Sequence, residues 1–286
     1  MTSNKNGAGD SKRFSFEFFP PKTEAGKQKL AEVHTQLAAL KPDFFSVTYG
    51  AGGSTRDGTF DAVSSIKKAG SSVAPHLSFG GSKDDEIESL LHQYKDMGVD
   101  RLVALRGDIP SGTGTSNSYY YANELIDFIR RKTGDHFHIE VACYPEIHPN
   151  SESYDSDIAF FKKKVEAGAN SAITQYFYNE DAYFYFVDKC RKAGIDIPIY
   201  PGIMPITNYT SLARFSTNCG AEIPRWMRQQ LQSFGDDSEA IRAFGVEAVT
   251  KLCEKLLAGG APGLHFYSMN QYGPVSEIWK SLGLRK

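Results

Sequence analysis

"VAPHLSFGGSKDDEIESLLHQYKDMGVDRLVALRGD", residues 73–108, sets two apolar runs on either side of an amphipathic segment. The runs "VAPHLSF" and "RLVALRGD" read as strands. "DDEIESLLHQYKDMG" between them has helical spacing and closes on Gly98, a helix C-cap signal. Strand, helix and strand in this order build a parallel pair.

The same unit recurs along the chain. Further strand runs are "FSFEFF", "FFSVTYG", "HIEVACYP", "SAITQYFY", "IPIYPGIM" and "GLHFYSMN", and another helical segment is "TEAGKQKLAEVHTQLAAL". Gly70, Gly168 and Gly194 also stand just before a strand. Eight such units in about 250 residues fit an α/β fold, a closed (β/α)8 TIM barrel. An open doubly wound sheet is the structural alternative. No break in composition divides the chain. The expected organisation is a polar leader over 1–13 and one barrel domain over 14–286. The stretch between the seventh and eighth strands is long and is read as extra helices.

Composition narrows the function. The chain has 286 residues, 41% hydrophobic and 23% charged, with a formal net charge of −2. Such a balance gives no footprint for nucleic acid or an anionic membrane. No apolar run approaches the roughly 20 residues that span a bilayer. "MTSNKNGAGDSKR" lacks a signal-peptide core, so a cytoplasmic location is expected. Cys143, Cys190, Cys219 and Cys253 lie far apart without a CxxC, which argues for free thiols and no metal site.

A barrel enzyme draws its site from the C-terminal ends of its strands. Polar residues collect there: Glu17, Thr48, Tyr49, His76, Arg106, Asp108, Tyr144, Glu146, His148 and Gln175. In the first strand, alternation puts Phe14, Phe16 and Phe18 under the helices and Ser15, Glu17 and Phe19 inside the barrel. Loss of water should raise the pKa of Glu17 and suit it to carry a proton. The alternative is a structural carboxylate tied to an arginine or a backbone N–H. Asp108 is either a helix cap, a local ion-pair member or a site residue, and "GDIPSGTGTSNS" after it is either a lid or a plain loop. His34 and His92 are expected at the surface. "SNSYYYAN" is read as core packing ahead of a contact for a planar ligand. No strand carries the lysine that a Schiff-base aldolase would need.

"FEFFPPKT", "SVTYGAGG", "APHL", "ALRGD", "YPEIHP", "EAGANSAITQYF" and "PGIMPITN" resemble, in order, the methylenetetrahydrofolate reductase family in its bacterial form. The likeness runs from about Phe14 to the final "LGLRK". It implies a barrel that carries FAD. The family reduces 5,10-methylenetetrahydrofolate to 5-methyltetrahydrofolate with NADH or NADPH by a ping-pong mechanism, feeding methionine synthesis. The resemblance makes Glu17 the acid that protonates folate N5 and Asp108 the flavin-side carboxylate. Flavin contacts fall on Thr48, Tyr49, Ala51, His76, Arg106, Gly107, Asp108, Ala122, Tyr144, His148, Asp157, Lys163 and Lys164, the two lysines at the pyrophosphate. Substrate contacts fall on Thr48, Asp108, Gln175, Ser211, Phe215 and Gln271.

Three residues depart from the family pattern. Phe160 replaces a polar flavin contact of some relatives, Ser211 a glutamine, and Gln271 an arginine that meets the folate tail. A homo-oligomer is implied. The chain ends at Lys286 without the regulatory domain of eukaryotic members, so regulation by S-adenosylmethionine is not expected.

Overall fold

The computed structural model describes residues 12–49, 56–79, 82–106 and 121–284. The expected leader lies outside them up to residue 11, and β1 begins at Arg13. In chain order the elements are β1 (Arg13–Phe18), α1 (Glu24–Ala38), β2 (Phe44–Val47), α2 (Arg56–Lys68), β3 (Val73–Leu77), α3 (Asp84–Asp96), β4 (Arg101–Ala104) and α4 (Ala122–Thr133). Then come β5 (His138–Cys143), α5 (Tyr154–Glu166), β6 (Ser171–Thr174), α6 (Glu180–Lys192), β7 (Ile199–Tyr200) and β8 (Gly202–Ile203). Helices α7 (Tyr209–Cys219), α8 (Arg225–Ser233) and α9 (Ser238–Ala258) precede β9 (Gly263–Tyr267) and α10 (Gly273–Ser281).

All strand pairs are parallel, in the order β7-β6-β5-β4-β3-β2-β1-β9-β8. The two end strands, β7 and β8, are one segment interrupted at Pro201. β7 pairs with β6 and β8 with β9, so this broken strand closes the barrel. Proline has no N–H to give to a ladder, but its carbonyl still accepts the His265 N–H at 3.0 Å. The sequence reading took "IPIYPGIM" as one continuous strand, and the proline is why it is not.

Two apolar layers follow from the period-2 alternation of the strands. Outside the barrel wall, Phe16 is fully buried against Phe45, Phe266 and Trp279. Inside it, Phe44, Ala74, Val103, Ile173 and Tyr200 form a separate cluster. Toward the N-terminal strand ends this inner cluster meets a buried carboxylate, Glu140, paired with Arg101 and hydrogen-bonded by Ser171. The opposite end holds Glu17. Gly70, Gly98, Gly168 and Gly194 all have positive φ, as the capping reading requires.

His34 is a correction. It is 5% exposed, with its ring edge-on to Phe45 at 4.7 Å and Nε2 2.9 Å from the Ser71 hydroxyl. It shares the core stripe of α1 with Leu30, Val33 and Leu37, so helical spacing made it an interior residue. His92 is exposed as expected, 57% at the side chain. Tyr121, the described end of the tyrosine run, is 47% exposed instead of packed in the core. The four cysteines are free, and among the described residues no group could hold a metal ion. Among those residues no helix is long and apolar enough to cross a membrane.

The closing segment tolerates no side chain at Gly202. A Cβ there would sit 2.2 Å from the Thr174 carbonyl and 2.7 Å from the Tyr267 ring. Gly202→Ala is expected to destabilise the fold by about 1–3 kcal/mol, read as a lower urea midpoint. An unchanged midpoint would show that the closing segment yields freely.

Candidate active site

The ladder registers assemble the site. Glu17 lies beside Ser46 of β2 and Tyr267 of β9, and Ser15 lies beside His265. All of these face the barrel interior. His76 Nε2 is 3.3 Å and His265 Nε2 3.5 Å from the same oxygen, Glu17 Oε2. The Ser46 hydroxyl reaches that oxygen at 3.5 Å. On its far side, His265 Nδ1 is 2.7 Å from the Ser15 hydroxyl. Neither Nε2 has a well-aligned hydrogen bond, although both are buried.

The expectation of a raised Glu17 pKa is overturned. Burial pushes the carboxyl up, as anticipated. Contacts from His265 and His76, with their charges, outweigh burial and hold it down at about 2. The missing element in the sequence reading was His265, which arrives from the last strand.

The backbone around Glu17 is tied down. Its carbonyl accepts the Ser268 hydroxyl at 2.5 Å. Asn270 accepts the Phe19 N–H at 3.0 Å and donates to the Phe19 carbonyl at 2.9 Å. Met269 and Asn270 both take positive φ, 52° and 53°, to make this connection. Such a conformation is uncommon outside glycine.

A cavity of about 410 Å³ opens above this cluster. Of the residues singled out in the sequence, Glu17, His76, Tyr144, Gln175 and Phe215 line it. Apolar walls come from Val103, Leu105, Ile173 and Met204. Phe215 projects from α7 and is 41% exposed. A concave, mostly apolar chamber with a few converging polar groups is the usual form of a small-molecule site.

The other expected residues that the structure describes do not line the chamber. Thr48 accepts the Thr59 hydroxyl at its carbonyl, 2.9 Å. The Tyr49 phenol is pushed up by burial. Arg106 lies 5.7 Å over the ring of Tyr121, Tyr121 stacks on Phe160 at 5.8 Å, and Lys163 lies 4.9 Å from the Phe160 ring. Phe160 thus sits in a row of two rings between two cations. Ala122 opens α4. The His148 ring packs edge-on against Tyr144 at 4.5 Å, and the His148 backbone N–H donates to Asp157 at 3.0 Å.

Lys163 and Lys164 are parted by the helix. Successive residues of a helix diverge by about 100°, so Lys163 is exposed while Lys164 turns inward and donates to the Ala142 carbonyl at 2.7 Å. Asn208 caps α7 by accepting the Ser211 backbone N–H at 2.8 Å, and Gln271 is exposed. Ala51, Gly107 and Asp108 lie outside the described residues, so the expected partner of Glu17 does too.

The sequence matches the model of methylenetetrahydrofolate reductases over residues 3–283. The chain belongs to the methylenetetrahydrofolate reductase family. It is 38% identical over 272 residues to the 5,10-methylenetetrahydrofolate reductase of Escherichia coli (strain K12), covering 95% of this chain and 90% of that protein. With the enzyme of that name from Buchnera aphidicola it shares 40% over 278 residues, 96% of this chain and 93% of the relative. "Methylenetetrahydrofolate reductase (NADH) 1" of Arabidopsis thaliana is 40% identical over 285 residues, 95% of this chain. That match takes up 48% of the plant protein, so the chain spans about half its length. A solved structure, an uncharacterized protein from Clostridium thermocellum that binds two copies of 5-methyl-5,6,7,8-tetrahydrofolic acid, shares the fold. Its TM-score is 0.69 at 19% identity, over 96% of this chain and 94% of the other.

Within this reductase family member, sequence reasoning missed several residues of the chamber. His265, Tyr267, Met204, Asn218 and Cys219 either line it or touch Glu17. A signal existed for two of them. In "GLHFYSMN" the alternation that turns Leu264 and Phe266 outward turns His265 and Tyr267 inward, and barrel closure sets them beside Ser15 and Glu17.

The depressed carboxyl has a pH consequence. The folded value, about 2, lies below the ordinary 4.5. The pairing therefore stabilises the fold fully above about pH 4.5 and is lost as the pH falls toward 2. His265→Ala leaves the burial and removes a counter-charge, so the Glu17 pKa should rise by about 1–3 units. The protonated-carboxyl infrared band, followed against pH, measures it. Identical titrations in both proteins would remove His265 as the cause.

Proposed function

We propose that this chain reduces 5,10-methylenetetrahydrofolate to 5-methyltetrahydrofolate, with NADH or NADPH as reductant, FAD as the resident cofactor and a ping-pong order, and that its product feeds methionine synthesis. The observation that carries this reading is Glu17, buried between two imidazoles on the wall of an apolar chamber. Family membership supports the reaction, and the names of the Arabidopsis and Zea mays relatives support NADH. A cytoplasmic homo-oligomer with no nucleic-acid or membrane partner belongs to the same reading, and the net charge of −2 agrees with it.

The residues present fit a dinucleotide. Lys164 has its ammonium pressed against one carbonyl, and burial lowers its pKa. Among the described residues no carboxylate lies within ion-pair distance of it. A pyrophosphate is the partner such a cation lacks, and Lys163 and Arg106 would add charge from outside. Thr48, Tyr49, His76, Ala122, Tyr144, His148 and Asp157 would complete the contacts, with Ala51, Gly107 and Asp108. When bound, FAD supplies the redox link between two substrates that use one chamber in turn. Phe215 and Gln175 would meet both, and Ser211 and Gln271 would stand toward the outer end of the folate.

The chain's own chemistry is the handling of a proton. Folate N5 must be protonated before the imidazolidine ring opens to the iminium cation that is reduced. In the free site Glu17 is ionised and has no proton to give. An imidazolium beside a carboxylate and an imidazole beside a carboxyl differ only by one proton shift over 3.3–3.5 Å. A folate ring in the chamber removes the remaining water and favours the neutral pair. The proton then resides on Glu17, facing the substrate. Ser15 holds the His265 ring in place, and its hydroxyl can donate or accept as the ring changes form.

Glu17→Gln keeps the shape but cannot deliver a proton. Its oxidation of nicotinamide should stay near the wild-type rate, while folate reduction falls by about 10²–10⁴-fold. Stopped-flow measurement of the two half-reactions checks it. Equal slowing of both would make Glu17 a positioning group, and slowing of neither would make it structural.

A further inference from the structure

The β5–α5 connection, residues 144–153, meets the end of α7 beside the chamber. Glu146 reaches across and accepts the Glu222 backbone N–H at 2.8 Å, a bond between residues 76 positions apart. The next residue, Ile147, has φ 68°, a left-handed conformation that a β-branched side chain rarely takes. The chain thus accepts strain beside this contact. A second touch lies close by: Gly220, at φ 74°, is so near Pro149 that a Cβ would stand 2.9 Å from its Cγ. The last turns of α7 are also held from the strand side, where the Tyr176 and Ser216 hydroxyls are 3.0 Å apart. Between these anchors α7 presents Phe215, Asn218 and Cys219 to the chamber.

We propose that Glu146 is a positioning residue, which clasps the segment after α7 through the Glu222 N–H and so fixes where α7 sets Phe215, Asn218 and Cys219 along the substrate chamber. The role for substrate rests on the reductase reading, whereas the clasp itself does not. A carboxylate accepts an N–H about twice as strongly when ionised as a neutral group does, so the clasp depends on the charge of Glu146. The titratable groups facing it are Glu222 after α7 and Tyr176 after β6, with Cys219 beyond Tyr176. Burial raises the Glu146 carboxyl to about 7, the Glu222 N–H opposes that rise, and the Glu222 charge adds to it. The clasp is therefore tight above about pH 7 and slackens as the pH falls through that value.

Wild type, Glu146→Gln and Glu146→Ala decide it, each checked for native circular dichroism. Two readouts are taken at about pH 6 and about pH 8.5, on either side of the titration. One is the rate at which N-ethylmaleimide labels Cys219, identified by peptide mass. The other three cysteines are buried. The second readout is KM against kcat for NADH. Dividing the wild-type labelling rate by that of Glu146→Gln at the same pH cancels the thiol's own titration.

On the proposal this ratio rises about 3–10-fold at the lower pH, and the wild-type KM rises with it while the Glu146→Gln KM stays flat. Glu146→Ala should label fast at both pH values and show a raised KM with kcat within about two-fold. A pH-independent ratio would overturn the proposal, as would a folded Glu146→Ala with wild-type labelling and KM. The expected labelling in a chain without NADH turnover would support the clasp and remove the reductase reading.

Discussion

A carboxylate enclosed at the mouth of a barrel needs opposite charge close at hand, because burial alone disfavours its ionised form. Glu17 finds that charge in His76 and His265, both within 3.5 Å of one oxygen. Much of the surrounding structure serves this arrangement. β1 must lie between β2 and β9, in a register that puts Ser15 beside His265. The chain after β9 must turn through two residues of positive φ so that Ser268 and Asn270 can bind the end of β1. A change of register by one residue would send every one of these side chains to the helix side of the wall.

The barrel holds a second buried carboxylate, and the contrast separates structure from chemistry. Glu140 is fully buried and is joined to Arg101, Ser171 and His138. Burial raises its pKa and these partners more than offset that, so it is a satisfied anion far from the mouth. Glu17 has the same sign of shift with poorer alignment: its Ser46 contact is 3.5 Å, and its two imidazoles point buried nitrogens at it without good hydrogen bonds. A network with unspent donors is where a proton can move. The N-terminal network has used its donors, whereas His76 Nε2 and His265 Nε2 at the mouth have no hydrogen-bond partner among the described residues.

Much of this was legible in the sequence, for definite reasons. Period-2 alternation turned the phenylalanines of β1 outward and Glu17 inward, and Gly98 and its counterparts marked the helix ends. The break at Pro201 escaped because an apolar run hides a missing donor. His34 escaped because a polar residue on a helix was assigned by its chemistry and not by its place on the α1 stripe. The resemblance put both lysines of α5 at the pyrophosphate, and helical geometry gives them different faces. The sign of the Glu17 shift was beyond local reading, since Ser15 and the His265 it touches lie 250 positions apart. Only closure of the ring joins them.

That separation has a consequence for how the molecule comes to be. Among the described strands β1 and β9 form the most distant pairing, and it brings His265 to Ser15 and Glu17. Closing so long a loop is slow relative to local pairing, because the entropy is lost before the contact rewards it. A chain that has folded every earlier strand still presents β1 as an open edge, a template for intermolecular pairing. Its Glu17 is then a lone carboxylate with one imidazole. Pairing of "GLHFYSMN" with β1 both covers that edge and brings His265 to Glu17. The completed Glu17 cluster and the covered β1 edge therefore depend on one and the same strand pairing.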